Sequence, residues 1–279
     1  MGGILTPIGT APNLILLGFL EDHQIPVLAF GEWIVMMLPV VGLMLLIIPY
    51  LLSMGVCDES VEDIQHDILP LTFAQKKLYA IVVFLAIVLI ANTFAKQILA
   101  VALDEKLLLL GFGLLMFVPS VGELTWDDTR NIPYEIIFLF GAGFSIASAF
   151  TQTGLASEIS LHLSFISTMP LFWMFVIVAL FVTFSTEVTS NTALTSIAIP
   201  IFYEFSKLLP QTEGTLLLLV ATVAASFAFM LPIATPPNAI VMSSRVISIK
   251  QMATMGLKLN FIGILVLSLV AYFIWSRIL

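Results

Sequence analysis

Charge is the first thing this chain has little of. Of its 279 residues 10% are charged and 60% are hydrophobic, and the mean hydropathy is +1.11. A soluble domain carries about a quarter charged residues, so this composition excludes a water-facing surface and leaves the lipid bilayer as solvent. Cysteine is nearly absent: Cys57 stands alone, which excludes an intrachain disulfide and any inference about redox compartment. The ten Lys and Arg are scattered, and without a basic cluster a nucleic-acid partner is disfavoured. The acid behind the net charge of −8 falls in short islands: Asp58, Glu59, Glu62, Asp63 and Asp67; Asp104 and Glu105; Glu123, Asp127 and Asp128. No His or Cys interleaves with them at ligand spacing, so they are expected to be solvated loop charge and not a metal site. A basic n-region is missing as well: Gly2-Gly3 and a Pro-containing segment follow Met1, which is no signal peptide and suggests a chain truncated at its N-terminus.

Apolar stretches are plentiful. Residues 33–52, with Pro39 and Pro49, have the length of a transmembrane helix. Residues 78–95 form another, 107–119 and 136–150 are shorter, and 257–275 close with Trp275 beside Arg277. Two regions are not simple spans. Residues 169–184 run into Ser185-Thr186-Glu187-Val188-Thr189-Ser190-Asn191-Thr192, and a second apolar run, 193–205, follows at once. Two half-length helices meeting at a polar tip are expected to make a re-entrant hairpin. Residues 216–230 are interrupted by Leu231-Pro232-Ile233-Ala234-Thr235-Pro236-Pro237-Asn238; three prolines so close cannot continue a helix, which predicts a broken one.

The start of the chain repeats this second pattern. Residues 5–15 align without gaps onto 230–240, with six of eleven positions identical, among them Pro7/Pro232, Thr10/Thr235, Pro12/Pro237 and Asn13/Asn238. Secondary transporters are commonly built from two inverted repeats, each with a discontinuous helix at the midplane. A broken helix leaves backbone groups without partners, which hydrocarbon does not tolerate, so each break must face a cavity or a ligand. Helix N-termini then offer positive potential to anions, and unwound carbonyls and C-terminal ends can hold a cation. The Thr, Ser and Asn side chains of 185–192 suit this chemistry, and residues 235–238 supply a second wall. No Lys or Arg stands near either tip, so a bound anion would depend on hydroxyls, amides, helix ends and an accompanying cation.

These motifs resemble the divalent anion/sodium symporter family. Ser190-Asn191-Thr192 is similar to its second Ser-Asn-Thr signature, Ala234-Thr235-Pro236-Pro237-Asn238 to the partner motif on the broken helix, and residues 2–13 to the equivalent break in the first half; Phe138-Leu139-Phe140-Gly141-Ala142-Gly143 and Gln152-Thr153-Gly154-Leu155 echo a further stretch. The resemblance implies an all-α integral membrane protein of the cell membrane, multi-pass, with the fold of an inverted-repeat secondary transporter. Residues 1–20 would end the first-repeat broken helix and 21–133 would be connecting and scaffold helices. Residues 134–279 would be the second repeat, with a re-entrant hairpin (169–206), a broken helix (215–243) and a final span (257–276). The implied activity is sodium-coupled symport of small dianions, C4-dicarboxylates such as succinate, malate or fumarate, by a homodimer. Sodium would be held by Thr186, Thr189, Asn191 and the Ala234 carbonyl, with Gly9 at a first sodium site. Substrate would be held by Asn191, Thr192, Thr235 and Pro236, with Thr10 nearby. Ala11 departs from the pattern of Pro236 and is expected to loosen its break. The family's first hairpin has no counterpart here, so the polypeptide alone is not expected to transport.

Alternatives remain open at this level. Sulfate or a tricarboxylate would suit the same mechanism, and a channel also uses re-entrant hairpins. An enzyme is not expected, because the apolar runs carry almost no nucleophile, base or metal ligand apart from Glu187. Glu187 itself either serves function or caps backbone at the hairpin tip. Gly141, Gly143, Ser145 and Ser148 are expected to permit close helix packing. His23, His66 and His162 are expected to be solvated, and Trp33, Trp126, Trp173 and Trp275 to anchor at membrane interfaces.

Overall fold

A computed structural model describes residues 1–53, 70–99, 103–119, 121–132, 134–243 and 247–279. Cys57, His66, the first acidic island and Arg245 lie outside them. The described residues form helices: α1 (Ala11–Asp22), α2 (Phe30–Ser53), α3 (Phe73–Leu99), α4 (Glu105–Leu115), α5 (Tyr134–Gln152), α6 (Leu155–His162), α7 (Leu171–Val188), α8 (Asn191–Ser206), α9 (Gln211–Ala224), α10 (Pro236–Ser243) and α11 (Ile249–Val270), with 3-10 turns at Gly2–Leu5, Trp126–Asn131 and Ser164–Thr168. The chain is an all-α membrane protein: Phe30–Ser53, Phe73–Ala95, Leu171–Val188 and Ile249–Ile278 are each long and apolar enough to cross a bilayer. Their outer faces are apolar, as lipid requires; Val82, Val83, Phe84 and Ile87 on α3 are all exposed.

Contacts divide the chain into two units. One comprises Met1–Val27, Ile34–Met54 and Glu135–Leu279, and its core is α9. Every residue of α9 from Leu216 to Ala224 is buried, the signature of a helix apolar all round that sits inside others. α7, α8, α11 and α1 surround it. Gly143 on α5 lies against α8, where a Cβ would collide with the Ser196 hydroxyl, whereas Gly141 faces open space. Close packing thus explains one glycine of that pair.

The other unit comprises Leu28–Trp33 and Gly55–Tyr134. Here the backbone N–H of Gly31 donates to Thr93 Oγ1 (3.0 Å) and that of Phe30 to Glu105 Oε1 (3.0 Å). Asp104 caps α4 through the N–H groups of Lys106 and Leu107, Lys77 pairs with Glu123 at 3.1 Å, and Thr125 donates through both N–H and Oγ1 to Asp128. The two later acidic islands therefore cap and pair. The backbone donor and then the hydroxyl of Thr125 hold the Asp128 carboxyl below its ordinary pKa.

Several expectations change. Trp275 is fully buried with its Nε1–H donated to the Met36 carbonyl at 2.6 Å, and Trp33 is fully buried too, so these two fill protein interior and do not anchor at an interface. His23 is only partly solvated: its ring stacks on Phe19 at 4.0 Å and meets Tyr203 edge-on, while Nδ1 bonds the Phe19 carbonyl at the end of α1. The arms of the hairpin, 18 residues in α7 and 16 in α8, are longer than half a span, at about 27 and 24 Å. Last, α11 starts at Ile249, eight residues before the apolar run that marks it, under a capping box of Ser248 and Gln251.

Candidate functional site

α7 stays helical through Val188, past the polar residues Ser185, Thr186 and Glu187, and α8 begins at Asn191. Only Thr189 and Ser190 are extended, so the tip is tighter than residues 185–192 suggest. The wide break is the other one. α9 stops at Ala224 and α10 starts at Pro236, leaving 225–235 non-helical. Ala225–Met230 are apolar apart from Ser226, which is why the break is hard to see there in sequence. Pro236 and Pro237 do not interrupt the helix but open it, because the first helical N–H groups have no partner to lose.

Three helix ends converge. α9 ends in carbonyls without intrahelical donors, and α7 supplies hydroxyls to them. The buried Thr183 donates to the Ala224 carbonyl at 3.3 Å. The Thr186 hydroxyl lies 3.0 Å from the Ala225 carbonyl oxygen and 2.5 Å from Asn191 Oδ1. One hydroxyl has one proton to give, so these three oxygens crowd together with a single hydrogen among them, at the negative end of α9. The third end is the N-terminus of α8. Ser190 makes no side-chain cap there, so the first N–H groups of α8 remain to be satisfied. Thr192 is buried in that first turn. With Asn191 Oδ1 turned to Thr186, its Nδ2 is left to donate.

Glu187 is 3% exposed and reaches across to the break. Its Oε1 accepts from the backbone N–H groups of Phe229 (2.8 Å) and Met230 (2.9 Å) and from Asn260 Nδ2 (2.6 Å), and its Oε2 accepts from the Leu231 N–H (3.0 Å). The acid caps backbone, as one of its two expected roles had it, but at the broken helix and not at the hairpin tip. On the far side α11 is cut to fit: a Cβ on Gly256 would run into the Phe229 carbonyl and the Met230 Cα, and one on Gly263 would meet the Phe227 ring at 3.0 Å.

The sequence repeat is also a repeat of structure. Asn238 Nδ2 donates to the carbonyls of Ala228 (2.9 Å) and Leu231 (3.0 Å), and Asn13 Nδ2 to those of Gly3 (3.3 Å) and Thr6 (2.9 Å), positions related by the same 225-residue offset. The Ala234 N–H donates to Leu231 as that of Gly9 does to Thr6. α1 starts at Ala11 and α10 at Pro236, again 225 apart. Ala11 therefore leaves the helix start where Pro236 puts it, because Pro12, like Pro237, already occupies the second helical position.

Of the residues singled out from sequence, Thr186 and Asn191 touch. Thr189 is exposed and donates to the Ser185 carbonyl (2.8 Å), so its proton goes to its own helix. Thr235 Oγ1 accepts from the Asn238 N–H at 3.4 Å, and Pro236 is exposed at the start of α10. Ala234 is buried and Gly9 exposed at matching places in their breaks. Thr10 precedes α1, which packs on α8 and α9; among the described residues no hydrogen bond joins Gly9 or Thr10 to the hairpin. Sequence reasoning missed Thr183, Asn260 and the carbonyls of Ala224 and Ala225. A buried Asn on an apolar helix was the one available signal for Asn260; carbonyls leave none.

The whole chain, residues 1–279, matches the family described as sodium:sulfate symporter transmembrane region. It is 29% identical over 310 residues to a sodium-dependent dicarboxylate transporter, SdcS, of Staphylococcus saprophyticus, covering 100% of this chain and 57% of the relative. It is 29% identical over 323 residues to Na(+)/dicarboxylate cotransporter 3 of Rattus norvegicus, covering 96% and 53%, and 29% identical over 305 residues to SdcS of Staphylococcus aureus, covering 100% and 57%. The chain thus spans little more than half the length of these relatives. With the match running end to end over helices built around two equivalent breaks, the chain belongs to the sodium:sulfate symporter family, among the divalent anion/sodium symporters.

Proposed function

We propose that the chain carries the binding site of a sodium-coupled symporter for small dianions, C4-dicarboxylates such as succinate, malate or fumarate. The observation that supports this most is the convergence of Thr186 Oγ1, Asn191 Oδ1 and the Ala225 carbonyl at the C-terminal end of α9. Crowded neutral oxygens with too few protons are the environment a hard monovalent cation satisfies. In this reading one sodium sits among these groups, with Thr189 and the Ala234 carbonyl as further ligands, and Gly9 gives a backbone oxygen to a separate first sodium site. Asn191 then bridges, its oxygen to the cation and its Nδ2 to a substrate carboxylate. Thr192 and the open N-terminus of α8 bind the same carboxylate, with Thr235, Pro236 and Thr10 lining the remaining wall.

No Lys or Arg takes part in any hydrogen bond seen at the tip or at either break among the described residues. A dianion would leave water for dipoles alone unless a cation entered with it, and that is the physical basis of coupling. The tip and the 225–235 break, tied by Thr183, Thr186 and Glu187, would move as one body during alternating access. Dicarboxylate is favoured over sulfate or a tricarboxylate because the similar transporters in Staphylococcus and rat are named for dicarboxylates.

Succinate uptake into proteoliposomes holding the protein, in sodium and with choline in its place, tests the reading. Uptake that saturates and requires sodium supports it, and unlabelled sulfate and citrate as competitors rank the substrate classes. Equal uptake in choline, or flux that never saturates as in a pore, would defeat it.

A further inference from the structure

We infer that Glu187 is a positioning residue: its carboxylate holds the unwound backbone of residues 229–231, and through it the carbonyls of Ala224 and Ala225, in the place where Thr183 and Thr186 meet them. An acid next to Thr186 invites assignment as a sodium ligand. Its geometry turns it to the backbone instead. Four N–H donors already meet the carboxylate, Phe229, Met230 and Asn260 on Oε1 and Leu231 on Oε2, so Oε1 is fully engaged and Oε2 keeps one lone pair.

The need for the acid follows from the break. Residues 229–231 come after α9 has ended and before α10 has begun, so their N–H groups have no helical acceptor. Each buried unmatched donor is costly, and three in succession cannot all be served by one neutral acceptor. A carboxylate serves them together, with bonds stronger than neutral ones. Gly256 lets α11 press against the same stretch, and Asn260 adds the fourth donor. The result is a rigid seat that fixes where α9's last carbonyls point. The placement stands on this geometry alone; its consequence for sodium rests on the symport reading above.

The test uses the whole protein in detergent, with amide hydrogen exchange resolved over 225–235 and sodium binding measured with the radioactive ion alone. Glu187→Gln keeps one acceptor oxygen and puts an NH₂ group opposite Leu231. It should speed exchange at Leu231 about tenfold while leaving Phe229 and Met230 nearly protected. Glu187→Ala should release all three amides, leave α9 (Gln211–Ala224) protected, and weaken sodium binding about tenfold or more, with Glu187→Gln in between. Unchanged exchange at 229–231 in Glu187→Ala would overturn the positioning role. So would released amides with unaltered sodium affinity. If the unaltered protein binds no sodium, the symport reading fails, and the exchange results still decide whether Glu187 holds the break.

Discussion

At Asn238 one amide group donates to the carbonyls of Ala228 and Leu231, and at Asn13 another does the same for Gly3 and Thr6. Each closes a non-helical loop onto the first turn of the helix that follows. Aspartate has nearly the same shape but nothing to donate, so Asn238→Asp should leave two carbonyls unmatched and set a negative charge against them. A loss of about 1–3 kcal/mol is expected, read as a lower thermal midpoint with helix content retained at low temperature. The Pro-x-x-Thr-x-Pro-Asn repeat pointed to these positions in the bare sequence, since four polar or cyclic residues in register are hard to reconcile with apolar drift. The partners were not legible: they are backbone carbonyls, and every residue has one. Glu187 was legible as an anomaly only, because its donors lie 42 to 44 residues away, and 73 for Asn260.

Helix boundaries shifted where propensity and tertiary packing disagree. Ser185, Thr186 and Glu187 look like a tip but complete α7, because Thr186 and Glu187 have partners in the break after α9 and Thr189 bonds back to Ser185. Ala225–Met230 look like helix but are unwound, with Glu187 accepting from the N–H groups of Phe229 and Met230 and Asn238 donating to the Ala228 carbonyl in place of helical partners. Two substitutions separate these forces. Gly256→Ala places a methyl into the Phe229 carbonyl and should destabilise by about 1–3 kcal/mol, whereas Gly42→Ala, with open space around it, should be neutral. Ala11→Pro copies the second repeat into the first. Thr10 before it is already extended, at φ −151° and ψ 149°, as a residue preceding proline must be. The variant should therefore be neutral or gain about 0.4–1 kcal/mol; a clear loss of thermal stability would show that the two breaks are not equivalent.

Across the whole molecule, membrane character was written in the scarcity of charge, and the second repeat's elements in the two polar interruptions. The placing of tryptophan was not: Trp275 looks like an interfacial anchor by its neighbours in sequence, yet its indole reaches Met36, 239 residues earlier. The functional account depends on a cation bound among neutral oxygens at the joint of α7, α8 and α9. Sodium affinity measured side by side for the unaltered protein, Thr186→Val and Thr189→Val tests it most directly, since valine keeps the shape of threonine and removes the oxygen. Thr186→Val should weaken sodium binding about tenfold or more, an energy of about 1.4 kcal/mol, while Thr189→Val, whose hydroxyl is exposed and donates to Ser185, should weaken it less. Sodium bound equally well by a folded Thr186→Val protein would contradict the account.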